Sequence, residues 1–221
     1  LGPTFVLQAA HGYAGNRSMR IASAADLARA KRTLRARRVR ATAWIDGVPM
    51  TVNACVTARG VAVGAPFEQV TGLPSLTPYP LGSCGQRWAE DAASAAATVA
   101  VAAALGRALA ADGYRGFFGV DVVVDAQGRA LAIEVNPRLV ASVAAFAQLE
   151  LLSGRLPLLA RHLMAFLDPD ADVAPLDAHR APLVGGQLVV HNVTGAAARL
   201  RAPIAAGVYD ASGPGEPRFV R

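Results

Sequence analysis

GFFGVDVVVDAQGRALAIEVNPR, residues 116–138, reads as two strands folded back on each other. Gly116 to Asp125 is apolar and β-branched, Ala126-Gln127-Gly128 makes a turn, and Ala130 to Asn136 is a second apolar run ended by Pro137. Two such strands are expected to be buried, yet each carries an acid among apolar neighbours, Asp121 on the first and Glu134 on the second. A buried carboxylate is costly unless it is paired or ligates a cation. The two acids are thirteen positions apart across the turn, which allows them to lie side by side on adjacent strands. Glu134 and Asn136 are two apart and point to one face. Two carboxylates and an amide oxygen suit a hard cation such as Mg²⁺, with phosphate oxygens and water completing its shell. The structural alternative pairs Asp121 with an arginine and leaves Glu134 solvated. Asn136 and Arg138 in the same run favour the cation. Asp125 reads as a turn residue.

Upstream of the hairpin, a helix is expected over Glu90 to Asp112, closed by Gly113. Before it, Gly72 to Gly85 is a long Pro/Gly/Ser-rich loop, a kind of segment that often carries function. Phe67-Glu68-Gln69-Val70-Thr71-Gly72 reads by itself as a strand end. Asp46-Gly47 is a hairpin signal, with Val39 to Ile45 pairing back on Met50 to Val56. Ser23 is an expected N-cap for a helix from Ala24 to Arg37. Phe5 to Gln8 and Met19 to Ala22 are short strands joined by the loop His11-Gly12-Tyr13-Ala14-Gly15-Asn16-Arg17-Ser18. Its glycines allow backbone N–H groups to approach an anion, and Arg17 and Ser18 add donors; a plain hairpin loop is the alternative. It is not a P-loop, because G-x-x-x-x-G-K-[ST] is missing. Downstream, Val140 to Leu152 and Leu156 to Leu167 are helical, Asp168 to Pro182 is a linker, and Gln187 to His191 and Gly207 to Tyr209 are short strands. His162 and His191 are read as structural; His11 is the histidine placed in a loop of interest.

The chain has 221 residues, 53% of them hydrophobic and 17% charged, enough for one large domain or two small ones and against disorder. Its formal charge of +6 is nearly all arginine, with Lys31 the single lysine. The basic run Lys31, Arg32, Arg35, Arg37, Arg38 and Arg40 reads as a solvated helix end rather than a nucleic-acid patch. Two cysteines, Cys55 and Cys84, make no disulfide framework and no metal spacing, so a reducing cytoplasm is expected. No signal peptide is visible, and the Ala-rich run from Ala92 to Gly106 falls short of the roughly 20 apolar residues of a membrane span. A start at Leu1 implies a processed chain or a fragment.

The hairpin, GYRGFFGVDVVVDAQGRALAIEVNPR, resembles the metal-binding hairpin of the ATP-grasp superfamily, in which an acid and an E-x-N-x-R run hold Mg²⁺ against ATP. The resemblance covers residues 4–166. It implies an α+β ATP-grasp fold, a small lid (1–56) over a larger, mainly antiparallel sheet with flanking helices (57–166), followed by a linker and C-terminal appendage (167–221). It further implies ATP and Mg²⁺, or Mn²⁺, as cofactors. Asp121, Glu134 and Asn136 would be the metal ligands, and Arg138 would steady the transferred phosphoryl group. Gln8, Gly12, Gly15, Arg17, Ser18 and Gln69 would meet the phosphates, and Ala43, Trp44 and Ile45 would form the adenine hinge. The chain departs from the family in three places. Gln8 stands where a lid lysine is usual, and Thr42 and Pro49 stand where hinge acids are usual. The third concerns the family's N-terminal domain and a helical segment with another phosphate-contacting lysine, which would lie upstream. The implied chemistry is phosphorylation of a small-molecule carboxylate to an acyl phosphate, then attack by an amine or similar nucleophile. Alternatives are a biotin-carboxylase-like enzyme acting on bicarbonate, and a degenerate nucleotide-binding domain without turnover. A homodimer is compatible with the reading; a membrane partner is not expected.

Overall fold

The computed structural model describes residues 2–12, 15–35, 38–88, 92–171, 183–194, 196–197, 209–210 and 218–219. The expected linker beyond residue 171, Tyr13, Ala14, Arg37, Glu90 and the expected strand residues 207–208 therefore lie outside the described residues.

The chain opens with a small three-stranded antiparallel sheet. Strand β1 (Phe5–Ala9) sits between β2 (Ser18–Ile21) and β3 (Val39–Ala43). Helix α1 (Ala24–Leu34) packs on it, burying Ile21, Ala30 and Leu34 against Phe5, Leu7, Met19 and Leu27. Ser23 caps α1 as expected. Its Oγ accepts from the Asp26 amide (3.1 Å), while Asp26 Oδ2 accepts from Ser23 Oγ (2.8 Å) and the Ala22 amide (3.2 Å). The helix stops at Leu34 because Arg35 takes a left-handed conformation, φ 43°.

The larger sheet follows directly. Strand β4 (Gly47–Thr57) is its centre, with β5 (Gly60–Val63) hairpinned onto one end. Strands β6 (Phe67–Thr71) and β7 (Ser83–Trp88) extend it on one side. Helix α2 (Ala92–Ala111) crosses to β8 (Gly116–Asp125) and β9 (Ala130–Asn136) on the other side. Helices α3 (Val143–Leu152) and α4 (Leu158–Leu167) come next, and β10 (Gly185–Leu188) returns to the β7 edge. The strand order is β10-β7-β6-β4-β8-β9, antiparallel at every pairing. The chain is thus α+β, as expected. The tail adds a small pairing of Tyr209–Asp210 with Arg218–Phe219.

Strand alternation divides the core. Met50, Val52, Ala54 and Val56 of β4 face α2 together with Phe118, Val120 and Val122. Cys55, Phe67, Trp88 and Phe117 face the other way and pack on Phe146 of α3 and Leu158 of α4. The large sheet is therefore covered on both faces.

Two expectations need correction. The Asp46-Gly47 signal does not form a hairpin, because β4 pairs with β8 from Gly47↔Asp125 to Val56↔Gly116 and not with β3. Residues 47–56, expected in the lid, therefore belong to the larger sheet. Burial decides this: Met50 to Val56 are buried throughout, as a central strand requires, whereas every residue of β3 is exposed. Strand β9 was expected to be buried but forms an edge, with Leu131 to Glu134 exposed.

A buried acid outside the hairpin, Glu150, joins α3 to α4. It is 1% exposed, and its Oε2 accepts from the Leu158 amide at 3.0 Å. Burial pushes its pKa up to about 7, against the opposing pull of that N–H and of Arg155 and Arg161. A raised carboxyl pKa contributes stability that is complete below the unfolded value near 4.5 and is lost as pH rises through about 7. The melting temperature should therefore fall between pH 5 and pH 8, and Glu150→Gln should flatten the fall. A wild-type melting temperature that climbs across this range would contradict the assignment.

Candidate nucleotide and metal site

The acids of the hairpin meet as their spacing suggests. Asp121 of β8 stands directly opposite Glu134 of β9, and the register slips by one residue immediately beyond, where Val122 faces Ala132. This β-bulge leaves Ile133 without a cross-strand partner. Asp121 is half-buried and Glu134 exposed. Desolvation, helped by the negative charge of Glu134, raises the Asp121 pKa to about 6. Hydrogen bonds from Thr51 and Gln69, and the charge of Arg138, oppose the rise.

Two side chains hold one oxygen of Asp121. Thr51 Oγ1 donates to Oδ1 at 2.5 Å, and Gln69 Nε2 donates to the same atom at 2.7 Å. Gln69 also donates to Thr51. Thr51 and Asp121 are cross-strand partners between β4 and β8, and Thr51 is matched with Phe67, two positions before Gln69. All three side chains therefore leave the same face. The second oxygen, Oδ2, lies 3.5 Å from Asn136 Nδ2, and Asn136 Oδ1 accepts from Arg138 at 3.1 Å. Arg138 also donates to the Leu139 carbonyl at 3.0 Å.

Asp121, Glu134, Asn136, Arg138 and Gln69 thus share one locality. The donor set is two carboxylates and an amide oxygen, which suits a hard cation. The desolvated Asp121 beside a second acid is the feature a cation would relieve. No group of three His, Cys, Asp or Glu able to hold a metal occurs among the described residues, so a hold would depend on the amide of Asn136.

The other expected contacts are spread over the small sheet and the segment leading out of it. Gln8 is paired with Ser18 and Arg40, and its Oε1 accepts from Arg40 at 2.5 Å. Arg17 donates to the Leu34 carbonyl, so it closes the C-terminal end of α1. Gly15 has φ +75°, and a Cβ there would meet the Leu81 carbonyl oxygen at 2.4 Å, so this loop rests on the backbone of the 72–82 loop. A Cβ on Gly12 would stand 3.1 Å from Arg17 and Asn16 side-chain atoms. Ala43, Trp44 and Ile45 carry the chain from β3 to β4, between the two sheets. The Trp44 amide donates to the Thr4 carbonyl at 3.1 Å, its indole donates to Asp46 at 2.6 Å, and Arg20 lies 4.6 Å over its ring.

Sequence reasoning missed Thr51. A lone threonine in an apolar strand carries no motif, and only the β4–β8 pairing sets it against Asp121. His162 is structural as expected, its Nδ1 accepting from the Phe117 amide at 3.1 Å.

A family profile described as an ATP-grasp domain matches residues 4–142, and the chain belongs to that family. The carboxyaminoimidazole ribonucleotide synthase of Aspergillus clavatus, solved in complex with ATP, is similar at TM-score 0.61 and 20% identity, over 77% of this chain and 42% of that one. The N5-carboxyaminoimidazole ribonucleotide synthetase of Thermus thermophilus is similar at TM-score 0.60 and 16% identity, over 84% and 45%. The L-amino acid ligase of Bacillus licheniformis follows at TM-score 0.58 and 17% identity, over 79% and 43%. At these identities the likeness shows the fold. The chain spans less than half the length of each of these solved proteins. No curated protein matches it by sequence. No helix among the described residues is long and apolar enough to cross a membrane.

Proposed function

We propose that this chain is the nucleotide-binding and catalytic part of an ATP- and Mg²⁺-dependent ligase that activates a carboxylate as an acyl phosphate for attack by an amine or similar nucleophile. The observation that carries it is Asp121 opposite Glu134, with Asp121 Oδ1 tied to Thr51 and Gln69. Asp121, Glu134 and Asn136 would hold the ion, which when bound neutralises charge on phosphate oxygens. The remaining work belongs to the chain's own groups. Thr51 and Gln69 fix the carboxylate so that no reorganisation is needed when the nucleotide arrives. Arg138, exposed at the rim and steadied by Asn136, offers positive charge to the phosphoryl group in transfer. Ala43 to Ile45, between the two sheets, would take the adenine, and the small sheet would exclude water by covering it. The solved relative complexed with ATP supports a nucleotide, and the L-amino acid ligase supports ligase chemistry.

Calorimetric titration of ADP, with and without Mg²⁺, tests the reading. ADP is expected to bind at least about tenfold more tightly with the ion present. Release of ADP from ATP on adding a carboxylate and an amine would then separate a ligase from a domain that only binds. Nucleotide affinity indifferent to Mg²⁺ would sink the proposal.

A further inference from the structure

The guanidinium of Arg40 stands between the two sheets. On β3 it lies directly opposite Gln8 of β1, so both side chains leave the same face of the small sheet. Its Nη2 donates to Gln8 Oε1 at 2.5 Å and to the carbonyl of Ile133 on β9 at 2.8 Å. Ile133 is the residue that the β-bulge leaves without a cross-strand partner, and Glu134 is the next residue along. The irregularity beside the acidic pair is thus also the point at which the lid strand is tied to the larger sheet.

Both acceptors of Arg40 are neutral. A guanidinium has five N–H donors and is always charged. Two are used here, and the three on Nε and Nη1 have no partner among the described residues. The side chain is therefore held in place at the site with no ion-pair partner among the described residues. We propose that Arg40 binds the phosphates of the nucleotide, an assignment that rests on the Mg²⁺–nucleotide reading above. Gln8 is then a positioning residue: its amide oxygen orients the guanidinium and need not touch the ligand.

Calorimetric titrations of ADP, adenosine and pyrophosphate into the wild-type chain, Arg40→Gln and Arg40→Lys, all with excess Mg²⁺, test this. Arg40→Gln should weaken ADP and pyrophosphate by about 10- to 100-fold and leave adenosine unchanged, as expected for loss of one charge-assisted contact. Arg40→Lys should recover part of the ADP affinity, since the charge remains but the planar fork is lost. Raising the salt concentration should weaken ADP more in the wild type than in Arg40→Gln. Equal ADP affinity in wild type and Arg40→Gln overturns the assignment and leaves the Mg²⁺–nucleotide reading standing. A parallel loss of adenosine and ADP also overturns it, because Arg40 would then only hold the lid in place. A wild-type chain that binds no ADP overturns both.

Discussion

Asp121→Asn should lower Mg²⁺-dependent ATP turnover by about 10³-fold, the scale of the several kcal/mol that a Lewis-acid ion contributes to phosphoryl transfer. It should do so in a chain that folds normally. Asn is close to isosteric with Asp and keeps an oxygen for Thr51 and Gln69, which donate at 2.5 and 2.7 Å. Burial disfavours the charged form of Asp121, raising its pKa to about 6. Without added Mg²⁺ the amide therefore removes an electrostatic cost, and the melting temperature at pH 8 should stay level or rise. Loss of activity with gain of stability is the mark of a residue kept for its ligand rather than for the fold. Thr51→Val makes the finer comparison. It frees Asp121 Oδ1 of one partner, and should weaken Mg²⁺ affinity by a smaller factor, about tenfold. Steady-state turnover against Mg²⁺ concentration, together with thermal melts, reads all of these. A variant Asp121→Asn that keeps wild-type turnover would remove the acid from the site.

The acidic pair was legible because a β-hairpin is a local structure. Residues 121 and 134 are separated by one turn, and period-two alternation decides which side chains share a face. The cap of α1 was legible for the same reason, since Ser23 and Asp26 lie three positions apart and bond each other. What pairs with β4 is not a local matter. Asp46-Gly47 is strong turn chemistry, but Met50 to Val56 bury both faces, and β8 on one side and β6 and β5 on the other, with helices above and below, satisfy such a strand. Long-range burial overrode the turn signal. The same pairing placed Thr51 against Asp121, which no spacing in the sequence could show. The bond from Gln69 to Asp121 was not legible either, because it crosses from β6 over β4 to β8. The partners of Gln8 and Arg17 were not legible in the sequence. Gln8 bonds Arg40 across the small sheet and Arg17 bonds the end of α1, because a polar side chain on an open sheet face or in a loop takes whichever partner the tertiary fold brings to it.

Phe146→Ala should destabilise the chain by about 3–5 kcal/mol, the usual cost of emptying a buried aromatic site. Phe146 of α3 is 1% exposed and lies against Trp88, ring centroids 6.0 Å apart, and Phe67, 6.5 Å apart. Gly64 shows how closely its ring is seated, because a Cβ there would come within 2.6 Å of Phe146 Cζ. Truncation leaves a void that the sheet cannot close without moving β6 and β7 toward α3. Against a total stability of about 5–15 kcal/mol, a loss of this size takes much of the margin. The effect should also reach the site. Phe67 is two residues before Gln69 on β6, so a shift of that strand moves the amide that holds Asp121. Phe146→Leu refills most of the volume and should cost much less. Urea unfolding of the three proteins gives the order in stability, and Mg²⁺ affinity below the unfolding transition shows whether the displacement travels along β6. An unfolding midpoint for Phe146→Ala equal to that of the wild type would mean that α3 is not packed on the sheet through this ring, and that the β6 side of the site is held by β4 and β7 alone.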